Sequence, residues 1–183
     1  PPHPDRDPRS RADHGLIPVA VTVWQGFVFL NLSPTPGPLE PDMGRDFLNN
    51  WPMDSLVTGH RMVTDIACNW KVFWENYNEC LHCPGVHPEL CDMVPIYGKG
   101  IMGRTESPDW TPEEAPQPML KPGAATWTAD GKPCGPEFPG LTPTERQNGY
   151  NFVTVYPTMF IVAHVDHVRA VRLEPTGPQT TRL

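Results

Sequence analysis

Asn69-Trp70-Lys71-Val72-Phe73-Trp74-Glu75-Asn76-Tyr77-Asn78-Glu79-Cys80-Leu81-His82-Cys83-Pro84-Gly85-Val86-His87-Pro88-Glu89-Leu90-Cys91 is the stretch whose reading decides the rest. It holds two His, three Cys and three Glu, the densest set of potential metal ligands in the sequence. Asn69 predicts a helix start, because its side chain can accept an orphan backbone N–H of the first turn. From Trp70 the pattern is helical. At about 100° per residue, Trp70, Phe73, Trp74, Tyr77 and Leu81 share one side, and Glu75, Asn78, Glu79 and His82 share the other. Pro84 disfavours the α conformation at Cys83 and Gly85 supplies a bend, so the helix is expected to stop near Cys83. His87 then lies past a turn and can swing back towards His82.

On the N-terminal side, the β-branched run 19–24 and the apolar run 27–32 flank Gln25-Gly26 and predict a hairpin. Ser33-Pro34-Thr35-Pro36-Gly37-Pro38 breaks the pattern and is the best candidate for a domain boundary. Residues 39–50 read as a short helix and 56–68 as a strand. On the C-terminal side, 91–148 is Pro-rich with little periodicity and reads as a long excursion over a surface or pocket. Three strands follow, at 150–156, 158–165 and 168–173, with Asp166-His167 as a tight turn. Thr181-Arg182-Leu183 looks like the opening of another strand. The fold class is α+β.

The totals exclude several functions. The chain has 183 residues, enough for one domain or slightly more. Its net charge is -7, with 14 scattered Lys and Arg, so there is no electrostatic footprint for nucleic acid. No apolar run approaches the roughly 18 residues of a membrane span. Pro1-Pro2-His3-Pro4 has neither signal-peptide features nor an initiator Met, and suggests a fragment or a processed chain. Five Cys, three of them crowded beside His, favour reduced thiols in the cytoplasm over a disulfide framework. The 25 Pro argue against a helix bundle.

The ligand cluster admits four readings. The first is a solvated helix face that binds nothing. The second is a zinc knuckle, Cys80-x2-Cys83-x3-His87-x3-Cys91, with spacings a residue shorter than the nucleic-acid-binding kind. The third is a Rieske cluster, for which Cys80-x-His82 is half of the ligand set; neither Cys91 nor Cys134 supplies the Cys-x2-His half. The fourth is a mononuclear iron site in which His82, His87 and a carboxylate form a facial triad with open positions. A buried Glu79 would then accept from a ring N–H of His82 and hold its tautomer.

Beyond spacing, Asn69-Trp70-Lys71, Glu75-Asn76-Tyr77, Glu79-Cys80-Leu81-His82-Cys83 and His87-Pro88-Glu89-Leu90 resemble the catalytic-domain signature of Rieske non-haem iron oxygenase α subunits. The resemblance is to the branch with glycine betaine and carnitine oxygenases. The stretch 24–32 resembles the end of a Rieske domain, and Tyr156-Pro157, Phe160-Ile161 and Arg172-Leu173-Glu174-Pro175 resemble the catalytic sheet. The resemblance implies that residues 1–33 end a Rieske domain and 34–183 begin a helix-grip catalytic domain, an antiparallel sheet around a long helix. It implies that His82 and His87 hold Fe(II) and that Glu79 is the electron-transfer bridge. The [2Fe-2S] ligands are expected upstream of Pro1. The third iron ligand is expected on a helix beyond Leu183; Asp166, in a hairpin turn, is set aside. The chain alone is therefore expected to be inactive. The intact protein would be a cytoplasmic homotrimer fed by NAD(P)H through a reductase or ferredoxin. It would carry out mono- or dioxygenation of a small organic substrate with O₂. Trp110 and Trp127 could cage a quaternary ammonium group. A non-catalytic helix-grip binding module is the other possibility.

Overall fold

The structure, a computed structural model, describes residues 15–103, 108–109 and 119–183. Trp110 and most of the stretch 104–118 lie outside the described residues, as does the N-terminal run 1–14. The chain divides into two compact units, Pro1–Leu39 and Glu40–Leu183, just beyond the Pro-rich break.

In the first unit, β1 (Ala20–Trp24) and β2 (Phe27–Asn31) pair antiparallel. Gln25 and Gly26 make the turn with φ of 50° and 82°. Two consecutive positive-φ residues match the right-handed twist of the flanking strands, so the expected hairpin forms.

The second unit is built on an antiparallel sheet of β4 (Tyr150–Val155), β5 (Met159–His164) and β6 (Val168–Arg172), in that order. Every residue of the central strand β5 is buried. The register puts Tyr150, Phe152, Phe160, His164, Arg169 and Val171 on one face. The helix α1 (Trp70–Tyr77) packs on that face. Phe73, Trp74 and Tyr77 stand 6.2, 5.9 and 4.2 Å from the Phe160 ring, and Trp74 Nε1 donates to Pro157 O at 3.0 Å. The aromatic stripe read from the sequence is thus the sheet-packing face. Asn69 caps α1 as expected, accepting from Lys71 N at 2.9 Å. Its Nδ2 also donates to Pro178 O at 2.7 Å.

A second sheet, in the order β3 (Asp65–Ile66), β8 (Thr180–Arg182), β7 (Glu174–Gly177), holds the other end of α1, where Thr181 Oγ1 donates to Cys68 O. The open edge of β4 is covered by Asp42, which exchanges two hydrogen bonds with Thr154. The short helices α2 (Cys83–Val86), α3 (Pro88–Met93) and α4 (Pro143–Asn148) complete the unit.

Helix and antiparallel sheet are mixed, in line with the α+β expectation. Several details depart from it. Residues 39–50 form turns, not a helix, with Gly44 at φ 85° and bonds reaching back three residues. Of 56–68 only Asp65–Ile66 is strand, because β8 offers a partner to those two residues alone. The longest helix among the described residues is α1, with 8 residues, so the long helix of a grip is not among them.

Candidate metal centre

The expected helix to Cys83 ends instead at Tyr77. Asn78 closes it with a backbone bond to Trp74 O, while its side chain donates to the Tyr156 hydroxyl. Asn is a poor helix former and competes for backbone partners, which favours the break here. Glu79 then organises its own loop. Its Oε2 accepts from Leu81 N and its Oε1 meets His82 Nδ1, each at 2.5 Å. The bond to His82, followed by that from Leu81, holds the Glu79 carboxyl below its ordinary range. An ionised carboxylate can only accept, so the contact turns an Nδ1–H of His82 towards Glu79, and in the neutral imidazole Nε2 is then the nitrogen with the lone pair.

His87 sits at the junction of α2 and α3, in a non-helical conformation (φ -128°, ψ 62°) set before the Pro88 that opens α3. The His82 and His87 rings lie 5.5 Å apart. His87 therefore does turn back towards His82. Both line a cavity of about 540 Å³. Glu79 and Arg169 add charge to its wall, and Leu90, Met93, Trp127 and Phe152 make it apolar. Tyr97 and Tyr150 share a hydroxyl–hydroxyl bond of 3.0 Å, with the Trp127 ring 4.8 Å from that of Tyr150. Arg169 Nη2 donates to the Tyr77 hydroxyl at 3.3 Å. Burial pushes the Tyr77 phenol up to about 12, so it stays neutral and leaves the Arg169 charge uncancelled. Arg169 and Phe152 reach the cavity although neither carries a ligand or motif signal in the sequence. The alternation of 168–173 was the available signal, since it places Arg169 on the face with Val171.

Two expectations need correction. Glu79 is not buried: its side chain is 37% exposed. Cys80 and Cys83, expected as free thiols, are joined in a disulfide, with Cα atoms 4.9 Å apart. Three residues of separation let them meet once the helix has ended, and the bridge brackets His82. It removes two of the four ligands of the zinc-knuckle reading. Cys68, Cys91 and Cys134 remain free. Trp127 is at the cavity; Trp110 lies outside the described residues.

Two imidazoles on an open cavity, one held through a carboxylate, are a donor set that suits a divalent first-row ion such as Fe(II). Among the described residues, no third ligand atom joins them in a compact set. The one such set of three is elsewhere, at Cys134, Asp166 and His167.

Residues 53–183 match the family described as ring hydroxylating alpha subunit (catalytic domain). The chain belongs to that family. Ring hydroxylation is oxidoreductase chemistry, and the relatives' names agree with it. The glycine betaine monooxygenase oxygenase subunit of Chromohalobacter salexigens is 28% identical over 92% of this chain and 43% of its own length. The carnitine monooxygenase oxygenase subunits of Escherichia coli K12 and Acinetobacter pittii are 35% and 27% identical, over 44% and 80% of this chain and 23% and 40% of their own lengths. The chain thus spans less than half the length of these relatives. No helix among the described residues is long and apolar enough to cross a membrane.

Proposed function

We propose that this chain is the iron-binding part of an oxygenase α subunit, with residues 1–33 ending a Rieske domain and 34–183 opening a helix-grip catalytic domain. His82 and His87 would hold a mononuclear Fe(II), with a carboxylate from beyond Leu183 as the third ligand. That iron supplies reductive activation of O₂ for mono- or dioxygenation of a small organic substrate. Glu79 fixes the His82 tautomer, and its exposed side chain makes it the candidate electron-transfer bridge to a neighbouring subunit. The intact system comprises a cytoplasmic homotrimer with [2Fe-2S] clusters and an NAD(P)H-dependent reductase or ferredoxin.

The cavity wall supports a substrate class. Trp127 and Phe152 offer ring faces to an organic cation. Arg169, which donates to a neutral phenol and lies over the Phe160 ring, has no carboxylate partner among the described residues and offers a fork to an acid group. A small quaternary ammonium compound with a carboxylate fits both, as do the compounds in the relatives' names.

The Glu79–His82 contact in the cavity wall is the observation that carries this reading. In the intact subunit, Glu79→Gln is expected to keep iron by metal analysis yet slow single-turnover oxidation by roughly 10–100-fold. An unchanged rate would remove the bridging role. Arg169→Gln is expected to raise KM for a carboxylate-bearing substrate about tenfold with little change in kcat. Failure of the intact subunit to take up Fe(II) anaerobically would favour a non-catalytic binding module.

A further inference from the structure

Asp166 is the most completely engaged carboxylate among the described residues, and the mechanism does not use it. Its side chain is fully buried at the turn between β5 and β6. Oδ1 accepts from Thr126 Oγ1 at 2.7 Å and meets His167 Nδ1 at 2.9 Å. Oδ2 accepts from Cys134 N at 2.7 Å and from the Cys134 thiol at 3.1 Å. Cys134 Sγ and His167 Nδ1 are 3.6 Å apart. Thiol, imidazole and carboxylate thus converge from a loop and a hairpin turn. Asp166 is absent from the lining of the cavity that holds His82 and His87.

The geometry points to a zinc site formed by Cys134, Asp166 and His167. Zinc–nitrogen and zinc–sulfur bonds of about 2.0–2.1 and 2.3 Å, set at the tetrahedral angle, put the two ligand atoms about 3.6 Å apart. That is the separation already present. One oxygen of Asp166 takes the third vertex: Oδ2 stands 3.1 Å from the sulfur and Oδ1 2.9 Å from the nitrogen, against tetrahedral edges of about 3.5 and 3.3 Å, and one ligand atom from each of the three residues lies within 4.8 Å of the others. Cys134 is exposed and the His167 side chain is 34% exposed, so an ion reaches the site from solvent. A second observation lies beside it. The His164 ring stacks on His167 at 4.1 Å, and its Nδ1 is buried with no hydrogen-bond partner. An unpartnered buried nitrogen thus belongs to a ring that lies against one of the three ligands, and a water would complete the fourth position.

The proton balance is simple. Cys134 gives up its thiol proton to solvent and binds as thiolate. The His167 proton moves from Nδ1 to Nε2, freeing the Nδ1 lone pair. Asp166 remains ionised throughout, so thiolate and carboxylate neutralise the ion. The bonds from Thr126 Oγ1 and Cys134 N stay in place and orient the carboxylate. A thiolate ligand selects zinc over magnesium or calcium. Thr126 directly precedes Trp127, so the ion would pin the loop that forms one wall of the cavity.

The test uses the 183-residue chain, stripped with a chelator and titrated with zinc chloride. Cobalt chloride provides the optical readout. One zinc per chain is expected, with a thiolate-to-cobalt charge-transfer band that persists in a His82→Ala/His87→Ala variant. Cys134→Ser, which keeps a hydroxyl donor for Asp166, should abolish the band and weaken zinc binding at least about tenfold. His167→Gln, on a partly exposed side chain, should weaken it likewise. Absence of the band in the unaltered chain would overturn the site. So would a band that survives Cys134→Ser, or a zinc ion lost with His82 and His87 and kept without Cys134.

Discussion

Two carboxylate–histidine pairs stand in this molecule in opposite settings. Glu79 meets His82 at 2.5 Å with its side chain 37% exposed, and Asp166 meets His167 at 2.9 Å with none of its side chain exposed. The partners of Glu79 are two and three residues away in sequence, whereas those of Asp166 include Cys134 and Thr126, 32 and 40 residues away. The first pair shapes only its own loop and leaves His82 Nε2 open. The second ties distant chain together and spends its hydrogen-bonding capacity doing so. The proposed metal ligand therefore sits where little of the fold depends on it. The converging, committed groups sit where the fold does.

The contrast can be broken by substituting each carboxylate in turn. Asp166→Asn, measured by chemical denaturation in chelator, should cost about 3 kcal/mol, because an amide turns a donor towards Thr126 or Cys134 in a buried site. A loss below about 1 kcal/mol would erase the distinction. Glu145 is an intermediate case. It closes the capping box of α4 with Thr142, accepts from Asn50, and is partly exposed. Glu145→Ala should cost about 1 kcal/mol at neutral pH. Burial raises the Glu145 pKa, but the bonds from Thr142 and Asn50 outweigh it and hold the carboxyl below the ordinary glutamate value of 4.5. The folded form thus binds its proton less readily than the unfolded chain. The contribution is complete above about pH 4.5 and fades as pH falls through the lowered value. Acid denaturation of the variant should lack that increment. Glu79→Gln comes last, with the denaturation midpoint little changed, since the pair is solvent-screened. Its effect is expected in turnover alone.

Local signals were legible in the sequence, and long-range ones were not. The run of β-branched residues around Gln25-Gly26 became β1 and β2, the Asn69 cap held, and 150–173 became β4, β5 and β6 with Asp166-His167 at the turn. The pattern of Phe73, Trp74 and Tyr77 identified the packing face of α1. Thr142-x-x-Glu145 is a readable capping box, and it opens α4 inside a stretch whose composition reads as loop. The early end of α1 depended on Asn78 finding Tyr156, and the 56–68 strand shrank because its partner β8 is 3 residues long. The disulfide required the helix to end first. At the site, His82, His87 and Glu79 were visible because they are close in sequence. Arg169, Phe152 and Trp127 reach the same cavity only through sheet register and loop path, which spacing does not encode.

Asn69 has a consequence for the order in which the chain acquires structure. Its side chain caps α1 and also donates to Pro178, 109 residues later. Thr181 completes the clasp by binding Cys68 O across 113 residues. At synthesis rates of about 5–20 residues per second, α1 spends roughly 5–20 s without that clasp. An isolated helix of this length is marginal in water. Residues 78–87, hung from its C-terminal end, then wait on chain not yet made. The histidines come early in the sequence but settle late in folding.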